Sequence, residues 1–189
     1  AGGVDAQFFS IWCDGNKENP YAWANREIDT VLAWTNRNPD KMMQAFSASD
    51  IKKAVAQKKL AVLLGVEGGH MIENDLIKLD ALFNRGVRYM TITWNNSTPW
   101  ATSALDETTK ADSLKNKGLT DFGKQVIKRM NELGMLVDLS HVGEQTFWDA
   151  IGTTTKPVLV SHSCVYSLCK HRRNLKDDQI KAIGKNGGV

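Results

Sequence analysis

The chain has 189 residues, 42% of them apolar and 24% charged, the balance of an ordinary globular protein long enough to bury a sizeable core. Its 24 basic and 21 acidic residues leave a net charge of +3 spread along the chain, which speaks against nucleic acid or an anionic membrane as the main partner. No apolar run approaches the roughly 18 residues of a membrane span, no signal peptide or membrane anchor is visible in these residues, and three cysteines without a CxxC give neither a disulfide framework nor a structural zinc knot.

Val4 to Trp12 reads as a first strand, dense in aromatics. Asn19-Pro20 opens a helix that runs to about Asn36, with Trp23, Ile28, Val31, Leu32 and Trp34 as its stripe. Asn38-Pro39-Asp40 is a break, and Ser49-Asp50 caps a short helix over 50–59. Ala61 to Leu64 is an unbroken apolar run, suited to a strand buried on both faces of a parallel sheet. It stops on Gly65-Val66-Glu67-Gly68-Gly69, where one carboxylate stands among residues with little or no side chain. A glycine-rich turn with a merely solvated Glu67 is the plainer alternative.

Residues 74–85 carry Leu76, Leu79, Leu82 and Phe83 at helical spacing, with Gly86 as C-cap. Val87 to Trp94 is the next strand, and the long polar stretch from Asn95 to about Leu119 reads as a loop over the active face. Thr120 caps a helix lined by Phe122, Val126, Ile127, Met130 and Leu133 and closed by Gly134. Met135 to Ser140 is a strand with His141 at its end; 143–151 is a helix; Pro157 to Ser161 is a strand with His162 at its end. A basic loop precedes a last helix over 177–184, and Gly188-Val189 reads as the edge of a sixth strand. This alternation predicts βαβ crossovers, hence an α/β fold with a parallel sheet, as one domain over 1–189.

Three strands therefore end in Glu67, His141 and His162. In a (β/α) barrel consecutive strand ends converge on one rim, where α/β enzymes keep their chemistry. Two imidazoles and a carboxylate on that rim suit zinc, cobalt or manganese. A lone histidine is more often a satisfied core or loop residue, but three candidate ligands at equivalent positions on three strands are harder to dismiss. Cys164, two residues from His162, carries no mark of an activated nucleophile, and Gly65 to Gly69 lacks the GxGxxG order of a dinucleotide site.

GVEGGH (65–70), NNSTPW (95–100), DLSH (138–141) and SHSCVYSLCKHRRN (161–174), with AQFFSIW near the start, resemble the membrane dipeptidase (renal dipeptidase) family of metallopeptidases over nearly the whole chain. The resemblance implies a (β/α)8 TIM barrel of the amidohydrolase type, partly represented by five to six of its eight strands. It implies two zinc ions in the complete site and a small dipeptide as substrate, cleaved by a water or hydroxide that the metals activate. Glu67 matches the carboxylate that bridges the two ions and is the catalytic candidate; His141 and His162 match ligands of the second zinc. Arg173 matches the residue that holds the substrate's C-terminal carboxylate. His70 and Asp138 fall within matched motifs and are expected to orient ligands or pack the rim, while His171 reads as surface.

The resemblance also has gaps. The family's first-strand His-x-Asp pair has no counterpart here, its late-strand aspartate would lie past Val189, and the chain reads as an internal piece of a longer enzyme. Trp94 stands where better-known members have a histidine that contacts the substrate's reacting centre, so it is expected to change either substrate choice or the way charge is stabilised; tryptophan has no nitrogen lone pair with which to accept a proton. Family members are often exported, and a homo-oligomer is the one macromolecular partner left open. The competing readings are a non-catalytic degenerate barrel that binds a small ligand, and a metal hydrolase of another amide, lactam, lactone or phosphoester.

Overall fold

The short returns from helix to strand produce the expected parallel pairing. In the computed structural model, which describes residues 3–189, a five-stranded sheet is built from β1 (Ala6–Trp12), β2 (Met42–Gln44), β3 (Leu60–Glu67), β4 (Val87–Thr91) and β5 (Leu136–Asp138). The order is β1-β3-β4-β5, all parallel, with β2 pairing only the first three residues of β3, before β4 joins at Leu64. Seven helices connect and cover it: α1 (Pro20–Arg37), α2 (Ala48–Ala56), α3 (Leu76–Asn84), α4 (Ala104–Thr109), α5 (Asp121–Leu133), α6 (Glu144–Thr153) and α7 (Asp177–Asn186).

β3 is the central element and is buried from Ala61 to Val66, as its apolar run requires. Its side chains alternate between two cores. Val62, Leu64 and Val66 join Ile28 and Val31 of α1 and Leu79 and Leu82 of α3, whereas Ala61 and Leu63 pack with Ala54 of α2 and with Phe8. Register then fixes which residues share the face of Glu67: Ser10 and Trp12 from β1, Gly65 from β3, Tyr89 and Thr91 from β4, and Asp138 from β5. That face is aromatic in its lower half, where Phe8 meets Tyr89 edge-on at 5.0 Å, and polar toward the C-terminal strand ends. Gly65 is needed there because a Cβ would overlap the Tyr89 ring.

Several expected boundaries move. The first helix buries Ala24, Ile28, Val31 and Thr35 but leaves Trp34 exposed. Ser47, not Ser49-Asp50, caps α2, its hydroxyl accepting from Asp50 N at 3.2 Å. The stretch expected as a bare loop contains α4, capped by Ser103, and a 3-10 turn over Ala111–Ser113. β2 was not expected. Conversely, Pro157 to Ser161 makes only a single parallel bridge, Asp138 to Leu159. The anticipated sixth edge does join it: Val160 N donates to Val189 O at 2.7 Å and Val189 N to Val158 O at 3.1 Å.

Candidate metal centre

Glu67 ends β3, His141 lies three residues past the end of β5, and His162 follows the bridged segment beside it. Each donor is thus carried to the same rim by a segment of one parallel sheet, with β4 standing between the Glu67 strand and the His141 strand. His141 is held in a left-handed backbone conformation (φ +69°), pinned where its carbonyl accepts from Ala104 N at 2.8 Å. Such a conformation costs a non-glycine residue of order 1–3 kcal/mol and persists only where the surroundings hold it.

The three side chains meet. Glu67 Oε1 lies 3.1 Å from His141 Nε2 and 3.3 Å from His162 Nε2, and the two Nε2 atoms are 2.9 Å apart. The other ends of both rings are engaged. His141 Nδ1 faces Asn95 Oδ1 at 3.1 Å, an acceptor, so Nδ1 carries the proton. His162 Nδ1 faces Ser161 Oγ at 2.8 Å, and that hydroxyl donates its one proton to Asp138 Oδ2 at 2.6 Å; Nδ1 of His162 must therefore donate as well. Both imidazoles turn bare Nε2 lone pairs toward the Glu67 carboxylate. Three acceptors with no proton among them repel one another, and a cation between them relieves it. The donor set, two imidazole nitrogens and one carboxylate oxygen, fits zinc or a similar divalent metal.

A proton held at an Nε2 can stand in for the cation: hydrogen bonds from His141 and then His162 hold the Glu67 carboxyl well below the usual carboxylate range, so it is ionised. Burial pushes the His141 imidazole below its usual value, favouring the neutral form that binds metals. The His162 side chain is 47% exposed against 8% for His141, so the cluster opens on the His162 side.

Asp138 is fully buried and has its acceptors filled. Ser140 N (3.1 Å) and Ser161 N (3.0 Å) donate to Oδ1, and Thr91 Oγ1 and Ser161 Oγ, both at 2.6 Å, donate to Oδ2. It acts on His162 through Ser161, the outer support that metal-binding histidines usually have. His70 stands apart from the cluster: its Nε2 faces the Cys13 carbonyl at 3.2 Å, its Nδ1 is buried without a partner, and burial depresses its pKa. Arg173 lies beside His162, donating from Nη2 to the His162 carbonyl at 3.3 Å, while its Nε is buried without an acceptor. A cleft of about 300 Å³ runs from His141 past Arg173 to Lys170 and Lys176. Trp94 lies at the rim, its ring centre 6.3 Å from that of His141 and 5.1 Å from that of Trp12. His171 is exposed.

Sequence reasoning did not single out Ser10, Trp12, Asn95 or Ser161. Ser10 donates to Glu67 Oε2 at 3.1 Å. Asn95 and Ser161 belong to the quoted NNSTPW and SHSC stretches, so their position was visible, but nothing in a linear sequence says which hydroxyl or amide faces which ring nitrogen.

Residues 1–189 match the family model described as membrane dipeptidase (peptidase family M19). The fold is similar to an amidohydrolase from Pseudomonas aeruginosa (27% identity, TM-score 0.86), covering 100% of this chain and 54% of that one. It is also similar to the probable dipeptidase PvdM from P. aeruginosa (22%, TM-score 0.85; 98% and 49% covered). A third likeness is to a metallo peptidase from Rhodobacter sphaeroides liganded with a phosphinate mimic of the dipeptide L-Ala-D-Ala (20%, TM-score 0.86; 100% and 61% covered). The chain thus spans about half to three fifths of those structures, and its sheet is part of the TIM barrel they share with it. With the whole of its length matched, the chain belongs to the membrane dipeptidase family of peptidases.

Proposed function

We propose that the protein containing this chain is a zinc-dependent dipeptidase, hydrolysing the peptide bond of dipeptides that keep a free C-terminal carboxylate. The observation that carries this reading is the convergence of Glu67 Oε1, His141 Nε2 and His162 Nε2, whose ligand atoms all lie within 4.8 Å of one another while both Nδ1 atoms are engaged elsewhere. Those three residues would hold the ion. When bound, zinc supplies a Lewis acid that polarises the scissile carbonyl and makes water a nucleophile near neutral pH.

The chain's own residues supply the rest. Glu67 stays ionised, so it is an anionic ligand beside the reacting centre, and Ser10 donates to its Oε2 while Oε1 faces the imidazoles. Asn95 and Ser161 keep the imidazoles in the Nδ1–H tautomer. Arg173 is a half-buried cation with an unpartnered Nε; a planar guanidinium meets a carboxylate as a bidentate fork. Anchoring the C-terminal carboxylate beside His162 sets the bond one residue away over the cluster, and such positioning is a large part of a hydrolase's rate gain. The dipeptide mimic bound by the R. sphaeroides relative supports the substrate class.

The test compares free dipeptides with their C-terminal amides, using the complete protein before and after chelation. The reading expects the free dipeptides to be cleaved, the amides to be poor substrates, activity to vanish on chelation and return with zinc, and Arg173→Ala to raise KM chiefly for free carboxylates. Equal cleavage of amides and free acids by wild type and Arg173→Ala would overturn the substrate, and indifference to chelation would overturn the metal.

A further inference from the structure

The strand order makes the two rim tryptophans informative. β1 and β4 flank β3 on opposite sides, so their backbones stand two strand spacings apart, roughly 9.5 Å. Yet the rings of Trp12, the last residue of β1, and Trp94, three residues past β4, are only 5.1 Å apart, edge to face at 65°. The two indoles therefore lean toward each other across the end of β3, where Glu67 stands; Trp12 and Glu67 are register partners on one face. Trp94 continues the contact to His141. Trp12 is 38% exposed and Trp94 is half-buried, so the pair presents ring surface at the mouth of the site. Going round the rim, the order is Trp12, Glu67, Trp94, His141, His162, Arg173.

That order gives a bound dipeptide a direction. With its carboxylate at Arg173 and its scissile carbonyl over the cluster, the N-terminal residue must extend away from Arg173, toward Trp94 and Trp12. Indole supplies a large apolar face with little conformational entropy to lose, and it favours apolar and aromatic groups over anionic ones. We propose that Trp94 and Trp12 form the wall against which the side chain of the substrate's N-terminal residue packs, giving a preference for apolar or aromatic residues at that position. This inference rests on the dipeptidase reading above.

The experiment measures kcat/KM of the complete, zinc-loaded protein for Gly-Ala, Leu-Ala, Phe-Ala and Asp-Ala, then repeats it in Trp94→Ala, Trp12→Ala, Trp94→Phe and, as a control, Trp34→Ala, an exposed indole on α1. Wild type should favour Leu-Ala and Phe-Ala over Gly-Ala and reject Asp-Ala. In Trp94→Ala the Phe-Ala to Gly-Ala ratio should fall roughly 10–100-fold, the range for lost apolar contacts in a pocket, mainly through KM. Trp12→Ala should lower the ratio less, Trp94→Phe should restore most of it, and Trp34→Ala should leave it unchanged. If Trp94→Ala does not fold, Trp12→Ala at its more exposed position reads the same ratio. A ratio indifferent to both tryptophans, or an equal loss for every dipeptide, overturns the wall while leaving the dipeptidase intact. No turnover of any dipeptide overturns both.

Discussion

Asp138→Asn changes one atom and should disable a proposed metal ligand that it never touches. In the wild type, Oδ1 accepts from two backbone N–H groups and Oδ2 from two hydroxyls, those of Thr91 and Ser161. Backbone donors cannot turn, so the new amide keeps its oxygen toward them and sets its NH2 against the hydroxyls. Ser161 must then accept from Nδ2, and its proton rotates toward His162 Nδ1, 2.8 Å away. His162 answers by taking the other tautomer, with its proton on Nε2, and the lone pair facing Glu67 and His141 is lost. Loss of an outer partner of this kind typically weakens metal binding by roughly 10–100-fold, about 1.4–2.8 kcal/mol. Exchanging charge-assisted for neutral hydrogen bonds in a buried site costs the fold a further ~2–4 kcal/mol. Zinc affinity by competition with a chromophoric chelator, read beside urea unfolding of the metal-free protein, separates the two effects. Ser161→Ala should reproduce the affinity loss with a smaller stability cost, about 1 kcal/mol. A folded Asp138→Asn protein with wild-type zinc affinity would refute the tautomer argument.

Three other predictions concern the fold. Gly65→Ala should destabilise by about 1–3 kcal/mol, since its methyl overlaps the buried Tyr89 ring, and the penalty should shrink in a Tyr89→Ala background; equal penalties in a urea double-mutant cycle would deny the contact. Burial, and then the Glu27 carboxylate, push the Cys13 thiol up to about 11, whereas Cys164 and Cys169 are exposed. Iodoacetamide at pH 8 should therefore add two labels in the native state and three in urea, by intact mass. Asp80 receives two 2.8 Å hydrogen bonds from Arg129, which hold its carboxyl below the usual aspartate value. Its contribution is present above the unfolded pKa of about 3.9 and is lost as pH falls through the lower folded value, so Asp80→Asn should make stability fall less steeply below about pH 4. Parallel acid curves for the two proteins would contradict this.

The parts legible in sequence are those set by long-range hydrophobic pattern. The run from Ala61 needs burial on both faces and so sits mid-sheet, and Thr120 with Gly134 brackets α5 because a cap and a left-handed terminus have distinct residue preferences. Glu67, His141 and His162 could be grouped because each closes an apolar segment and parallel strands end at one rim. What escaped depends on local polar bonds or on register. β2 is three residues long and carries no alternation. α4 is a polar helix held by its Ser103 cap and by Asp106, which accepts from Ser97 N at 2.9 Å. The strand expected at Pro157 to Ser161 loses most of its ladder because Ser161 turns its N–H and hydroxyl to Asp138. Trp12 entered the site only through its pairing with Glu67, which no single segment discloses.

The central claim is that Glu67, His141 and His162 are ligands of one metal ion. Its most direct test is the zinc content of the complete protein and of its Glu67→Ala and His162→Ala variants, purified with zinc and desalted. The account predicts zinc retained by wild type, with at least one ion per chain lost in each variant while each stays folded. Wild-type zinc content in both folded variants, or no zinc in the wild type, would contradict it.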